Sequence, residues 1–177
     1  HFDRGLHEQA LRYFHRALET DPDEYMAHLG LSEVMRSRNQ HKEQLEHVRK
    51  AHEIAPTDGN VLNQLGIAYE SLGKLGDAEN AYRTALREDP RNRHAANNLG
   101  FLLERRMEAA EQDPQVQDGL RRMAVEAWRR RLLICRDEGM SIQGARRHLM
   151  KLGVPTGTVE EWLEAGSISE DREEEVH

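Results

Sequence analysis

The chain has 177 residues, of which 32% are charged, 37% are apolar and only 5% are aromatic. That composition is too lean in large apolar side chains for a globule with a thick core, but thin layers of helices tolerate it. The net charge of −7 argues against a protein that attracts nucleic acid or anionic lipid through a general basic field. Nucleic acid is therefore not the expected partner.

Cys135 is the only cysteine, which excludes an internal disulfide and a cysteine-based metal site. No apolar run approaches the roughly 18 residues that cross a bilayer, so we expect no membrane span and predict a cytoplasmic location. The chain opens at HFDRGLHEQALRYF, which reads as the middle of a repeat. We therefore expect the native N-terminus to lie upstream of His1.

From the first segment onward, residue types recur at a fixed interval of 34 positions. The columns are Pro22, Pro56 and Pro90; Ala17, Ala51 and Ala85; Phe14, Val48 and Tyr82; Leu31, Leu65 and Leu99; Ser32, Gly66 and Gly100; and Met35, Tyr69 and Leu103. Several independent columns at one period are hard to obtain by chance, so they indicate a structural repeat.

The third repeating segment, residues 59–92, predicts a pair of helices. Gly66 and Ala78 are small enough to let two helices approach closely, while Tyr69 and Tyr82 fill the space beside them. Gly73 marks the end of the first helix with a left-handed residue. Each repeat is therefore predicted to be a helical hairpin.

This pattern resembles the tetratricopeptide repeat, a 34-residue pair of antiparallel helices. The resemblance covers roughly residues 1–107 and is fullest in Leu65, Gly66, Tyr69, Gly73, Ala78, Tyr82, Ala85 and Pro90. The second segment departs, with Ser32, Asn39 and Gln44 where the family has Gly, Gly and Ala. The resemblance implies an all-α, right-handed α-solenoid in which hairpins stack to bury their apolar faces. It divides into a partial first repeat at 1–24 and full repeats at 25–58 and 59–92.

In proteins with this repeat, the first helix of each hairpin lines a concave groove that usually holds an extended or helical peptide. The resemblance assigns that groove to side chains three or four positions apart, which share a helix face. They are Met26, Leu29, Glu33, Arg36, Asn60, Asn63, Ile67, Glu70, His94, Asn97, Asn98, Phe101, Glu104 and Arg105. The asparagines are expected either to bind a peptide backbone or simply to solvate the helix face.

Relatives that bind chaperone tails hold a terminal carboxylate with a clamp of Lys and Arg on those helices. Here the matching face carries Glu33, Glu70 and Glu104 beside Arg36 and Arg105. The clamp is not matched, so a ligand that ends in a run of acids is not expected.

The repeat pattern breaks after Met107, and residues 93–139 predict an elongated final hairpin. Its first helix is expected to continue to about Gln112. Asp113 then supplies an N-cap, and Pro114 takes the first position of a second long helix.

Within that second helix an Ala, aromatic, apolar spacing returns, carried by Ala124, Trp128 and Leu132, about 12 residues out of the regular register. Trp128 and Leu133 are expected to pack back on the array. The arginines at 129–131 are interpreted as a solvated face rather than as a patch for an acidic partner.

Residues 140–166 predict two short helices around a turn, which form a C-terminal helical cap on the solenoid. Ser141 is expected to cap the first helix and Gly153 to end it, while Thr158 and Glu161 form a capping box for the second. The tail at 167–177 is acidic and poor in apolar residues, so it is expected to be disordered.

No catalytic residue, cofactor or metal ligand is predicted, because the sequence has no HExxH, P-loop or GxSxG motif, and Cys135 has no evident His partner. His41, His47 and His52 are interpreted as solvated surface rather than as a metal site. The favoured function is therefore a noncatalytic adaptor that binds a protein or peptide. The exposed end of the first repeat also predicts self-association through the solenoid ends.

Two alternatives stay open at this point. Residues 141–163 are similar to a DNA-binding helix-turn-helix, which suggests a transcription-linked regulator, although the helix that would read DNA offers Glu160 and Glu161. The second alternative is that the chain forms the repeat arm of a longer enzyme, with a catalytic part that precedes His1.

Overall fold

The computed structural model describes residues 2–110 and 113–165, which form nine helices and no strand. The helices are α1 Phe2–Thr20, α2 Tyr25–Ser37, α3 His41–Ile54, α4 Gly59–Ser71, α5 Leu75–Glu88, α6 Arg93–Ala109, α7 Pro114–Asp137, α8 Gln143–Lys151 and α9 Thr156–Glu164. The predicted all-α fold is confirmed. The tail at 167–177, predicted to be disordered, lies outside the described residues.

The chain divides into two compact units, one ending at Asp89 and the other beginning at Pro90. In the first unit each helix packs on the next, from α1 through α5, and α2 also touches α4. Its core cluster consists of Leu45, Val48, Leu65, Ala68 and Ala81, with Tyr69 and Leu72 packed against it. In the second unit α7 packs on α6, α8 and α9. No helix of the described residues is long and apolar enough to cross a membrane.

A glycine of one helix lies against an aromatic ring of its neighbour in both units. A Cβ added at Gly66 of α4 would overlap the ring of Tyr82 on α5, as the small-to-large pattern predicted. In the second unit, a Cβ at Gly100 would lie 2.6 Å from the Trp128 ring. Close approach of the two helices therefore requires glycine at these positions.

Two predicted helix ends are confirmed by left-handed glycines. Gly73 has a φ of 72°, and the N–H of Lys74 donates to the carbonyl of Tyr69 at 2.9 Å. Gly153 has a φ of 82° and ends α8 in the same way. Asn39, where the family has Gly, takes the same conformation with a φ of 58°. Asparagine tolerates this region better than most residues, so the turn between α2 and α3 forms although asparagine replaces the family's glycine.

The start of α7 is also as predicted, but the end of α6 is not. The Asp113 side chain accepts from the N–H groups of Gln115 and Val116, and Pro114 follows it directly. By contrast, α6 leaves helical geometry at Ala110 instead of continuing to Gln112, which lies outside the described residues. The N–H of Asp113 donates to the carbonyl of Ala110.

Both predicted caps of the C-terminal helices are wrong. Ile142 holds the N-cap position of α8, since its carbonyl accepts from the N–H of Arg146, so Ser141 lies one residue too early to cap the helix, and no side chain caps it. In α9 the helix begins at Thr156, because Pro155 precedes it with its φ fixed at −61°. Thr158 is then inside the first turn instead of at the capping position.

The interpretation of His41, His47 and His52 as solvated surface is wrong. All three are partly buried, and the Nδ1 atoms of His41 and His52 are inaccessible to solvent. His47 faces His28 of α2, which is itself buried, with 3.3 Å between the two Nδ1 atoms. Burial and the neighbouring positive groups lower the pKa of His28 and bring the pKa of His47 to about 4.

These shifts predict that the first unit loses stability in acid. Since the folded protein holds both imidazoles neutral and the unfolded chain binds protons near pH 6.5, stability is full above that value and falls as the pH drops toward 4. We expect the chemical denaturation midpoint, measured in EDTA, to fall over that window. His47→Gln should flatten the profile, whereas His94→Gln, at an exposed position of α6, should not. An unchanged profile in His47→Gln would contradict the assignment.

Candidate functional site

The predicted groove residues of α2 occupy the exposed side of that helix. Met26 is 56% exposed, Leu29 is partly buried, and Glu33 and Arg36 are exposed. Two hydrogen bonds, of 3.0 and 2.5 Å, join the Arg36 guanidinium to the Glu33 carboxylate. The pair lowers the pKa of Glu33 and raises that of Arg36. The cation on this helix is therefore matched by an acid one turn away.

On α4 the same series of positions is less exposed. Asn60 is exposed and Ile67 is partly buried, but Asn63 is only 6% exposed. Asn63 therefore does not solvate the helix face, and it is too buried to count among the exposed groove side chains. Near the starts of α2 and α4, the Tyr25 hydroxyl donates to Asp58 at 3.4 Å. We call the exposed sides of α2 and α4, bearing Met26, Leu29, Glu33, Arg36, Asn60, Ile67 and Glu70, the groove face.

In the second unit, the predicted groove side of α6 is partly covered. His94 and Arg105 are exposed, whereas Asn97 and Asn98 are partly buried. The ring of Phe101 meets His148 of α8 edge-on, with 4.9 Å between the ring centroids. Phe101 is nevertheless 49% exposed, so α8 covers only part of this predicted wall.

Glu104 of α6 is a buried acid, only 5% exposed, and it helps to hold α8 against α6. It accepts a 2.6 Å hydrogen bond from the Trp128 indole N–H and lies 2.7 Å from Nδ1 of His148 and 3.2 Å from Nζ of Lys151. The His148 ring also stacks on Trp128, with centroids 4.1 Å apart. One buried carboxylate thus joins α6, α7 and α8.

The acids of the first helices have a structural role that the sequence analysis missed. The Tyr82 hydroxyl donates to Glu70 at 2.7 Å, just as Trp128 donates to Glu104. Glu70 follows Gly66 by four residues, and its donor, Tyr82, is the ring that packs on Gly66. Glu104 follows Gly100 by four residues in the same way, and its donor is Trp128. The recurrence of Glu70 and Glu104 at the repeat interval was the signal that could have revealed the pairing.

Of the arginines at 129–131, which were interpreted as a solvated face, Arg129 and Arg131 also make contacts within the unit. The Arg129 guanidinium lies 5.1 Å from the centre of the Trp162 ring, and Arg131 contacts the buried Cys135. Burial and the charge of Arg93 lower the pKa of Arg131. Solvation alone therefore does not account for Arg129 and Arg131, although the Arg129 side chain is 41% exposed and pairs with Glu126.

Two cations of the helix-turn-helix-like segment, Arg146 and Lys151, are paired with acids. Arg146 of α8 forms a 2.5 Å ion pair with Glu160 of α9, and Lys151 contacts both Glu104 and Glu108. Phosphate contacts would have to displace these partners. Elsewhere in residues 2–110 and 113–165, no group of three or more His, Cys, Asp or Glu side chains is arranged to hold a metal ion.

Comparison with known proteins identifies the family. Two sequence profiles of the tetratricopeptide repeat match residues 1–59 and 59–92, which together make up just over half of the chain. The protein belongs to the tetratricopeptide repeat family, so the predicted family is confirmed.

Individual relatives are more distant. The chain is 30% identical over 98 residues to the Hsp70-Hsp90 organising protein of Plasmodium falciparum, a match that covers 55% of this chain and 39% of the relative. Similar solved structures include MamA 41-end from Desulfovibrio magneticus RS-1, with a TM-score of 0.57, 22% identity and coverage of 71% of this chain and 66% of that one. The Sgt2 tetratricopeptide domain from Aspergillus fumigatus has a TM-score of 0.58, 18% identity and coverage of 85% and 89%. These likenesses show the fold.

Proposed function

We propose that the protein is a noncatalytic scaffold that binds a protein or peptide segment along the groove face of α2 and α4. The observation that carries the proposal is the exposure of apolar and amide side chains, Met26 and Asn60, on two first helices that touch each other. Family membership supports it, and a relative is named for organising two proteins, Hsp70 and Hsp90. A polypeptide ligand is in keeping with both.

The chemistry of the groove face favours an uncharged or mixed segment. Met26 and Leu29 offer apolar contact, and the amide of Asn60 can both donate to and accept from a peptide backbone. Arg36 is bonded to Glu33, so a ligand carboxylate would have to break a two-bond pair to reach it. We therefore do not propose a ligand that ends in acids.

The predicted groove residues of α6 are not part of the proposed groove face. Phe101 contacts α8 but is exposed, and it stays a prediction together with His94, Asn97, Asn98 and Arg105. DNA binding is not proposed, because Arg146 and Lys151 are bonded to acids of the same unit. The cytoplasmic location and the longer-enzyme alternative also stay predictions.

Site-specific photo-crosslinking tests the groove face, because the method captures a partner whose identity is still open. A benzophenone amino acid at Met26 or Asn60 should crosslink a partner protein from native extract. The same probe at Arg49 of α3 or Arg87 of α5, both exposed on second helices, should not. Identical crosslinked bands from all four positions, or bands from the control positions alone, would contradict the groove assignment.

Self-association through α1 is a second, weaker interaction that we propose. Tyr13 is 71% exposed and Leu6 is 53% exposed, whereas Ala81, two repeat intervals after Tyr13, is buried between helices. An uncovered apolar helix face of this kind favours pairing. Sedimentation velocity should show a concentration-dependent dimer that is lost in Leu6→Ser/Tyr13→Ser. A monomer at all concentrations would exclude it.

A further inference from the structure

Two histidine side chains converge inside the first unit, on the side of α2 away from the groove face. His28 of α2 is 6% exposed, and His47 of α3 is partly buried opposite it. Their Nδ1 atoms are 3.3 Å apart, their ring centroids are 5.5 Å apart, and the rings are tilted by 32°. In the absence of another ligand, one Nδ1–H donates to the other Nδ1.

The spacing of these two nitrogens is also the spacing that one tetrahedral metal ion requires. Nitrogens bound about 2.0 to 2.1 Å from such an ion lie about 3.3 to 3.4 Å apart. The observed distance therefore needs almost no adjustment. Both nitrogens are held on packed helices instead of on loops, so little side-chain entropy is lost on binding.

A metal ion binds imidazole through a ring nitrogen that carries no proton. When an ion enters, the Nδ1 proton of the donor ring is lost to solvent and Nε2 gains one, so the pair stays neutral overall. Lys50 of α3 and His15 of α1 act on His47 as neighbouring positive groups and oppose a cation, which limits affinity.

We propose that His28 and His47 form a two-histidine binding site for a borderline transition-metal ion such as Zn²⁺, Ni²⁺ or Cu²⁺, with water completing its coordination. Imidazole nitrogens suit these ions, whereas Mg²⁺ and Ca²⁺ prefer oxygen ligands. The site bridges α2 and α3, so an ion bound there stabilises that hairpin by mass action. The proposal is independent of ligand binding at the groove face.

Titration of the metal-free full chain tests the site directly. Isothermal titration with ZnCl₂ or NiCl₂ should give saturable uptake of one ion per chain at the pair, and MgCl₂ should give none. Because the chain contains ten histidines, variants must separate this site from adventitious binding. His28→Gln and His47→Gln should each abolish the saturable phase, whereas His52→Gln, on the same helix α3, should retain it.

Nitrogen chemical shifts give a second readout that does not depend on the variants folding well. In long-range ¹H–¹⁵N spectra of the unmodified protein, Zn²⁺ should shift the Nδ1 resonances of His28 and His47 together, at one equivalent. Uptake that persists equally in both glutamine variants, or Nδ1 signals unmoved by excess Zn²⁺, would overturn the proposal and leave the pair as a hydrogen bond alone.

Discussion

Replacing Trp128 by alanine should lower the free energy of unfolding of the second unit by about 3 to 5 kcal/mol. The side chain is 1% exposed, packs on Gly100 and stacks on His148, so its removal leaves a cavity between α6 and α7. It also removes the N–H that donates to the buried Glu104. This one truncation therefore deletes core packing and a buried hydrogen bond together.

Two further variants divide that loss into its parts. Trp128→Phe keeps a ring on Gly100 but deletes the donor to Glu104, and should cost about 1 to 3 kcal/mol. Trp162→Ala is the matched control, because Trp162 is only partly buried and its ring lies beside Arg129. Urea denaturation followed by circular dichroism measures all three. If Trp128→Ala cost no more than Trp162→Ala, the role given to Trp128 would be wrong.

The second large effect is expected from Gly66→Ala in the first unit. Although alanine favours a helix over glycine by up to about 1 kcal/mol, its Cβ would overlap the Tyr82 ring. Overpacking of this kind typically costs about 1 to 3 kcal/mol, so a net loss is expected. The Tyr82 ring cannot simply swing away, since its hydroxyl is bonded to Glu70.

Gly76→Ala is the matched control for this overlap. Gly76 lies in α5, and a Cβ there would meet nothing within 4 Å, so the substitution should be neutral or stabilising by up to about 1 kcal/mol. The double variant Gly66→Ala/Tyr82→Leu should recover part of the loss, because a smaller side chain frees the space. Equal melting temperatures for Gly66→Ala and Gly76→Ala would show that the two helices are not in close contact.

The first 107 residues were readable from sequence because their repeat interval carries several constraints at once. Gly66 and Tyr82 specify a close contact, and Gly73 specifies a backbone conformation that other residues rarely take. These are local requirements that leave a mark in the residue type itself. The same reasoning placed the Asp113 and Pro114 start of α7 correctly, since a cap depends only on neighbours within one turn.

What the sequence did not reveal are the contacts between residues far apart in the chain. The repeat interval could have revealed the bond between Glu104 and Trp128, but nothing near Glu104 in the sequence points to His148 and Lys151, which also contact it. His28 and His47 lie on different helices, and neither their spacing in the sequence nor the residues beside them predict that their side chains meet. Asn63 illustrates the same limit for the groove face, because helix periodicity predicts which side of a helix a residue lies on but not how deeply neighbouring helices bury it.

The location of the indoles has a practical consequence for biophysical work. The chain has two tryptophans, and both belong to the second unit, one stacked against an imidazole and the other beneath a guanidinium. Fluorescence excited at the long-wavelength edge of the tryptophan absorption therefore reports on that unit alone, because the first unit has tyrosines and phenylalanines but no tryptophan. Comparing emission with far-ultraviolet ellipticity would reveal whether the two halves melt as one cooperative block or in sequence.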